Sequence, residues 1–162
     1  MPAVRDRQAD ITLPEAPVAR ARRPVLLGTL ALRPDPTAEQ MAINSCLDSG
    51  SPLVIVNSVQ LPPYPTTMMV GGLEAMVLPH EDDREAVAEC ADRIASLGVE
   101  VETVGLFTPR PVRALLDFAG RRSPGLLIFG PLLSEIGRLR MRMATRRIRR
   151  EATCLVWVAP DG

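Results

Sequence analysis

Short apolar runs alternate with helix-like stretches along most of the chain, and this alternation limits the folds that the chain can adopt. Five runs fit buried strands, at residues 25–32, 53–59, 99–107, 126–129 and 154–159. Strands that are each followed by a helix pair in parallel, through right-handed crossovers. We therefore predict an α/β fold with a doubly wound, five-stranded, mostly parallel sheet and helices on both faces.

Four helices are predicted between these strands. Thr37 can cap the first helix with Gln40 three residues later, after a loop at residues 33–36 whose prolines exclude helix. The second begins near residues 79–83 and runs to Leu97, with Gly98 ending it. The third covers residues 112–121 and the fourth 136–151. Residues 1–23 are interpreted as a flexible tail rich in Arg and Pro, and residues 24–160 as one domain.

Composition excludes several classes of protein. The chain has 162 residues, of which 46% are hydrophobic, enough for one core. Its net charge is zero, so no overall field draws it to nucleic acid. No run approaches the roughly 20 apolar residues that span a bilayer. Three cysteines without a Cys-x-x-Cys pair favour a reducing, cytoplasmic setting and no metal site.

The sequence shows no constellation typical of an enzyme. His80 is the only histidine, and no serine or thiol accompanies it at catalytic spacing. The Met-rich stretch at residues 68–78 is interpreted as a loop and short helix over a sheet edge, or as an adaptable partner surface. We predict no catalytic residues, and at most a slow ATPase.

The turn after the fourth strand is the natural ligand position, because open α/β sheets bind ligands at the carboxyl ends of their strands. Gly130 stands where glycine lets a backbone approach a phosphate closely. It is followed by Pro131, Leu132 and Leu133, whose side chains block such an approach. The turn thus keeps the position of a nucleotide site without its usual residues.

Four segments in order resemble the universal stress proteins. Leu-Val-Ile-Val-Asn-Ser-Val with the prolines after it is similar to an apolar strand of the family and the Pro-rich loop that follows. Ala-Ser-Leu-Gly-Val-Glu-Val-Glu-Thr is similar to the family's helix, glycine and next strand. Thr-Pro-Arg-Pro-Val-Arg-Ala-Leu-Leu-Asp-Phe-Ala is similar to its Gly-x-Pro turn and helix. Pro-Gly-Leu-Leu-Ile-Phe-Gly and Arg-Glu-Ala-Thr-Cys-Leu-Val-Trp-Val are similar to its last two strands. The resemblance implies the same fold, and a homodimer through the last strand at Cys154, Val156, Trp157 and Val158.

The resemblance also implies an ATP motif, which is degenerate here. Family members that bind ATP carry an Asp at the end of the first strand and Gly-x2-Gly-x9-Gly-(Ser/Thr) after the fourth. The matching positions hold Leu30, Gly130, Leu133 and Met143-Ala144, with Ala144-Thr145 one residue off. The positions of the degenerate site are Leu30, Ser58, Phe129, Gly130, Leu133, Ala144 and Thr145. We expect no cofactor, because aliphatic side chains occupy the space of ribose and phosphate. The alternative is an ATP or AMP binder that uses Gly130 and Thr145 in a displaced register.

An arginine run fills the last predicted helix: Arg138, Arg140, Arg142, Arg146, Arg147, Arg149 and Arg150. A buried stripe is predicted at Leu139, Met143, Ile148 and Ala152. The arginines are interpreted as a solvated face, or as an anion site with Arg138, Arg140, Arg142 and Arg146 as its candidates. Nucleic acid is the weaker ligand, since no aromatic residues interleave for base stacking.

These observations lead to one functional prediction with two alternatives. The chain is predicted to be a non-enzymatic regulatory or protective domain that forms a homodimer and binds an unknown protein partner, without conventional ATP binding. The alternatives are the displaced nucleotide site and a docking module that uses the arginine run. Val156→Arg is predicted to weaken the dimer.

Overall fold

The computed structural model describes residues 22–31, 33–61 and 81–159, and strands and helices alternate within these ranges. Its elements are β1 (Val25–Thr29), α1 (Pro36–Ser49), β2 (Leu53–Gln60), α2 (Glu81–Ala95), β3 (Val101–Thr108), α3 (Pro111–Arg122), β4 (Leu126–Phe129), α4 (Leu133–Ile136), α5 (Arg138–Glu151) and β5 (Leu155–Val158).

The five strands form one sheet in the order β3-β2-β1-β4-β5, and every pairing is parallel. The predicted doubly wound α/β fold is therefore confirmed. β1 lies at the centre, with Val25 level with Leu53 on one side and with Leu126 on the other. The chain moves outward from β1 to β3, returns to β4, and moves outward again to β5, so the strand order reverses between β1 and β4.

Helices cover both faces of the sheet and divide its core into two clusters. The face covered by α1 and α2 contains Leu27, Ile55, Ile94 and Ile128. The face covered by α3 and α5 contains the second cluster, with Leu26, Val56, Leu115, Leu127, Phe129 and Ile148. Because both faces are covered, β1 is buried along its whole length and reads as a continuous apolar run.

Two predicted helix starts are corrected by the structure. α1 begins at Pro36, and its N-cap is Asp35, whose Oδ1 accepts a 2.8 Å hydrogen bond from the Thr37 N–H. Proline is favoured at the first helical position, so Pro36 starts this helix, and the predicted cap at Thr37 was wrong. The predicted helix 136–151 is split into α4 and α5 at Gly137, whose φ of 81° is a conformation that glycine favours.

Three apolar residues in or next to the predicted helices are exposed, and two of them, Leu139 and Met143, were predicted to be buried. Leu97 follows the end of α2 and is 51% exposed. Leu139 and Met143 on α5 are exposed, and the buried stripe of this helix is Met141, Ala144 and Ile148. The predicted stripe and the observed stripe of α5 both have helical spacing, so the period of the apolar residues could not show which of the two is buried.

Some predictions concern residues outside the described ranges: the tail up to residue 21, the Met-rich stretch 68–78, and His80. They stay predictions. Among the described residues, no helix has the length and apolar character that a membrane crossing requires.

Candidate functional site

The reversal of strand order between β1 and β4 marks the place where this fold type usually opens a ligand crevice. In this chain, backbone contacts join the two loops at this place. The N–H of Asp35 donates a 2.8 Å hydrogen bond to the carbonyl of Gly130, and Pro34 forms an antiparallel bridge with Pro131. The loop after β1 is thereby held directly against the end of β4.

Gly130 is glycine because α1 packs against it. A β-carbon at this position would lie 2.3 Å from the Ala38 Cβ and 3.1 Å from the Ala159 Cβ. Ala38 is fully buried at the start of α1. The glycine therefore serves the contact between α1 and β4, and its α1 face is occupied by protein atoms.

The only carboxylate near the predicted aspartate position is also occupied. Asp35 is buried, and its side chain caps α1 through the Thr37 N–H. Leu30, which stands at the aspartate position itself, is buried in the core cluster on the α3 and α5 face. Neither position presents a free carboxylate to a ribose.

The terminal pair of the motif lies inside a helix. Ala144 and Thr145 are in the second turn of α5, which begins at Arg138. Backbone N–H groups at such positions donate to carbonyls four residues earlier, so they are not available to a phosphate. Ala144 is buried, and Thr145 lies beside a different groove from Leu30.

The remaining predicted positions are dispersed. Phe129 is fully buried in the second cluster, and Leu133 packs against that cluster from α4. Ser58 is buried on β2, and its Oγ has no hydrogen-bond partner within the part of the chain that the structure describes. Of the predicted positions, the structure brings Leu30 and Ala144 together in the lining of one pocket. That these residues mark a degenerate nucleotide site stays a prediction.

The pocket shared by Leu30 and Ala144 is lined mainly by arginine and apolar side chains; we call it the arginine pocket. Its volume is about 310 Å³, and its lining residues are Leu30, Gln60, Pro109, Arg110, Pro111, Val112, Arg113, Arg140, Met143, Ala144 and Arg147. No carboxylate is among these described residues. Arg140 was predicted from the sequence as an anion ligand, whereas Arg110 and Arg113 were not, although their place at the turn into α3 was an available signal.

The arginines of α5 divide between two sides of the helix. Arg140 and Arg147 are seven residues apart, lie on the same side, and face α3 in the arginine pocket. Arg138, Arg142, Arg146, Arg149 and Arg150 line a groove of about 900 Å³ beside Val158 and Ala159 of the last strand region. Only one of the four predicted anion candidates, Arg140, therefore lies in the arginine pocket.

β5 forms the edge of the sheet beyond β4, and its outer side pairs with no strand among the described residues. Cys154, Val156 and Val158 pack against the second core cluster, and Trp157 packs against the first. Leu155 is 73% exposed. The predicted interface side chains thus face the core, while Leu155 and the backbone edge remain accessible.

The cysteines are poor nucleophiles in this fold. Burial raises the pKa of the Cys46 thiol to about 11. Burial and the neighbouring Glu39 carboxylate raise the pKa of Cys90 to about 12. Burial also raises the pKa of Cys154. Since the thiolate is the reactive form, these thiols are not suited to nucleophilic chemistry near neutral pH. Within the described ranges, no group of three or more metal-ligating side chains is assembled.

The chain matches no protein-family model and no curated protein sequence. Its structure is similar to that of the universal stress protein UspA from Lactobacillus plantarum, with 18% identity, a TM-score of 0.65, and coverage of 86% of this chain and 99% of the other. It is also similar to the universal stress protein from Archaeoglobus fulgidus in complex with dAMP, with 18% identity, a TM-score of 0.60, and coverage of 85% and 98%.

A third similar structure is a universal stress protein family protein from Arabidopsis thaliana with AMP bound. It is 11% identical, with a TM-score of 0.53 and coverage of 86% of this chain and 93% of the other. These likenesses confirm the predicted resemblance at the level of the fold. The chain has the five-stranded parallel α/β fold of the universal stress proteins.

Proposed function

We propose that this chain, which has the fold of the universal stress proteins, is a non-enzymatic regulatory or protective domain. It acts by forming a homodimer and binding a protein partner, and it has no conventional ATP site. The proposal also places it in the cytoplasm, where its three unpaired cysteines would stay reduced.

The observation that carries the proposal is the closed crevice between β1 and β4. Ala38 covers the α1 face of Gly130, and the Asp35 N–H is bonded to the Gly130 carbonyl, so we infer that a triphosphate could not approach the Gly130 backbone from this side. Opening this space would require α1 to move away from the sheet, where Ala38, Ala42 and Cys46 are buried. Such a movement would expose apolar surface at a cost of roughly 25 cal/mol for each Å².

The absence of a reactive constellation supports a role in binding. Among the described residues, neither a metal cluster nor a reactive thiol lies at the carboxyl ends of the strands. The exposed edge of β5 supports the dimer, because an uncovered strand edge with an exposed Leu155 is a template for pairing with another chain.

Nucleotide binding is the second candidate, and one observation favours it. Leu30 and Ala144 lie in one pocket beside arginines, and two proteins of the same fold were solved with dAMP and with AMP. We infer the arginine pocket as the place of such a nucleotide, because Leu30 and Ala144 line it and Ala38 covers the α1 face of Gly130.

Calorimetric titration of the purified protein with ATP and with AMP tests the proposal. We expect no saturable heat up to millimolar ligand, and no nucleotide carried through purification by absorbance ratio or mass spectrometry. Submicromolar binding, or a copurified nucleotide, would overturn the proposed absence of an ATP site. Arg140→Gln then locates the ligand, since it lowers the affinity only for a nucleotide in the arginine pocket.

Light scattering tests the dimer separately, and a monomeric mass at high protein concentration would contradict it.

A further inference from the structure

We propose that the arginine pocket binds a small organic anion: a carboxylate or phosphate monoester attached to a compact apolar body. This inference goes beyond the proposed function, and it depends neither on the dimer nor on the state of the β1–β4 crevice. It rests on the pocket's charge, on the end of α3 that borders it, and on its apolar lining.

Three elements build the pocket at the carboxyl end of the sheet. Gln60 is the last residue of β2, residues 109–113 lead into α3, and Arg140 to Arg147 belong to α5. These elements are far apart in the chain and meet because α3 and α5 cover the same face of the sheet. The volume of about 310 Å³ lies at the lower end of the range for small-molecule sites, which is about 300 to 1,000 Å³.

The charge of the pocket is one-sided. Four guanidinium groups line it, from Arg110, Arg113, Arg140 and Arg147, and no carboxylate is among its described lining residues. Arg113 and Arg147 are paired with carboxylates outside the lining, so the charge that lacks a counterion is that of Arg110 and Arg140. An anion between these two groups would remove their mutual repulsion. Arginine also matches carboxylate and phosphate groups geometrically, through paired N–H donors.

Two of these arginines retain donors for a ligand. Arg140 donates one hydrogen bond, from Nη2 to the Oε1 of Gln60 at 2.6 Å. The guanidinium of Arg110 makes neither a hydrogen bond nor an ion pair with any residue that the structure describes. Arg113 and Arg147 each have a carboxylate four residues later, at 3.7 Å from Asp117 and 3.2 Å from Glu151. Arg110 and Arg140 are therefore the principal ligands for the anionic group.

The N-terminus of α3 adds to the attraction. The N-cap residue Arg110 makes no side-chain capping bond, Pro111 occupies the first turn, and the first turn has no acidic residue. Backbone N–H groups at the start of a helix lack partners within the helix and carry partial positive charge. Val112 and Arg113 are lining residues in this first turn, so we infer that the positive end of α3 attracts the same anion.

The rest of the lining defines the body of the ligand. Leu30, Val112, Met143 and Ala144 are apolar, and two prolines complete that surface. Gln60 is the single neutral polar side chain among the described lining residues, and its Oε1 already accepts from Arg140. The lining side chains offer many donors but no acceptor besides the occupied Gln60 Oε1, so the O–H donors of a hydroxyl-rich ligand would lack side-chain acceptors, which costs affinity. A compact hydrocarbon or aromatic body fits better than a ribose.

Calorimetry at low ionic strength tests the proposal with four probes: phenyl phosphate, benzoate, inorganic phosphate and AMP. We expect phenyl phosphate and benzoate to bind, and phenyl phosphate to bind more tightly than inorganic phosphate, because its ring buries apolar surface. AMP should bind more weakly than phenyl phosphate, with no saturable heat up to millimolar concentration. Raising the salt concentration should weaken every interaction.

Variants of exposed arginines locate the site. Arg110→Gln and Arg140→Gln should each weaken phenyl phosphate binding by about tenfold or more, since each removes a charge-assisted hydrogen bond. Arg142→Gln is the matched control, because Arg142 lies on the other side of α5 and the variant removes the same charge. It should leave the affinity within about twofold, and circular dichroism should show all three variants folded.

Three results would overturn the inference. They are no saturable binding of phenyl phosphate or benzoate at millimolar concentration, an equal loss of affinity in Arg142→Gln, and tighter binding of AMP than of phenyl phosphate. The first leaves the proposed function untouched. The last, if the affinity for AMP is submicromolar, contradicts the proposed function as well, so the two failures are distinguishable.

Discussion

Gly130 and Asp35 are joined by a 2.8 Å hydrogen bond in which the Asp35 N–H donates to the Gly130 carbonyl. The Gly130 N–H in turn donates to the carbonyl of Gly28 at 3.1 Å. The backbone at the end of β4 is thus bonded to β1 itself through Gly28 and to the loop after β1 through Asp35. Groups that would face a ligand in an open crevice are satisfied within the protein, which is why the reversal point of this sheet is closed.

Gly130→Ala should destabilise the protein strongly. The added methyl group would lie 2.3 Å from the Ala38 Cβ, and short side chains on both partners leave no rotamer that relieves the overlap. α1 would have to shift away from the sheet, at a cost of about 2–4 kcal/mol, since overpacking typically costs 1–3 kcal/mol and sometimes more. Urea unfolding followed by circular dichroism measures the change in the free energy of unfolding.

Gly120→Ala is the matched control for this substitution. Gly120 lies on the exposed side of α3, and nothing stands within 4 Å of an added β-carbon. Alanine is the better helix former, so this variant should be more stable by about 0.5–1 kcal/mol. Opposite signs at the two glycines support the packing argument. A Gly130→Ala variant as stable as the natural chain would show that α1 adapts easily and that the crevice can open.

Arg93→Ala should lower stability by disconnecting α1 from α2. Two nitrogens of Arg93 donate to one oxygen of Glu39, Nη2 at 2.7 Å and Nε at 2.9 Å. The Glu39 side chain is only 15% exposed, so its carboxylate would lose its partner in a mostly buried place. We expect the free energy of unfolding to fall by about 1 kcal/mol. The loss is not larger because Arg93 itself is half exposed, so solvent screens the ion pair.

Arg113→Ala provides the comparison for Arg93. Arg113 pairs with Asp117 at 3.7 Å, and both side chains are well exposed. Exposed pairs of this kind contribute about 0.3–0.5 kcal/mol. Urea unfolding should therefore show a clearly larger loss for Arg93→Ala, and equal losses would mean that the link between α1 and α2 adds nothing.

The fold could be predicted from the sequence because it depends on patterns that single segments carry. β4 was predicted at residues 126–129 and is found at Leu126–Phe129, since a run buried on both faces is apolar throughout. The closed crevice could not be predicted in the same way. The bridge from Pro34 to Pro131 and the contact of Ala38 with Gly130 join residues far apart in the chain, and no local pattern encodes them.

The same limit applies to the arginine pocket. Arg110 precedes α3 and Arg140 lies on α5, and only the packing of both helices on one sheet face brings them to one pocket. The run of arginines on α5 was visible in the sequence. The division of these arginines between two sides of α5 could not be seen in the sequence. The buried stripe was predicted at Leu139 and Met143, whereas the structure buries Met141 and Ala144.

Protein stability should fall as the pH rises above about 9, in part because of Cys46. Its pKa is raised to about 11 by burial, whereas an unfolded thiol ionises near pH 8.5–9. The unfolded state therefore loses its proton first, so the stabilisation is complete below pH 8.5 and is lost progressively up to about pH 11. Between these two pKa values, the contribution of this thiol to the free energy of unfolding falls by up to about 1.4 kcal/mol per pH unit.

Cys46→Ala separates this effect from other titrations. The variant lacks the thiol, so its urea midpoint should decline less steeply between pH 9 and pH 11 than that of the natural chain, even if it is less stable at pH 7. Alkylation at pH 8 offers a second readout, in which Cys46 and Cys90 should react slowly until urea unfolds the protein. Parallel pH slopes, or rapid alkylation of both thiols in the folded state, would contradict the raised pKa values.

Leu155→Arg should weaken the proposed dimer more cleanly than the Val156→Arg variant that the sequence suggested. Val156 packs against the second core cluster, so an arginine there would also disturb folding, whereas Leu155 is exposed at the edge of the sheet. If β5 pairs with its copy, the substitution brings two like charges into one interface, and dimer affinity should fall by about tenfold or more. Leu97→Arg is the control, because this exposed leucine follows α2, which packs beside β3 at the opposite edge. Light scattering over a dilution series should then show dissociation of Leu155→Arg alone; a dimer that survives this substitution must use another surface.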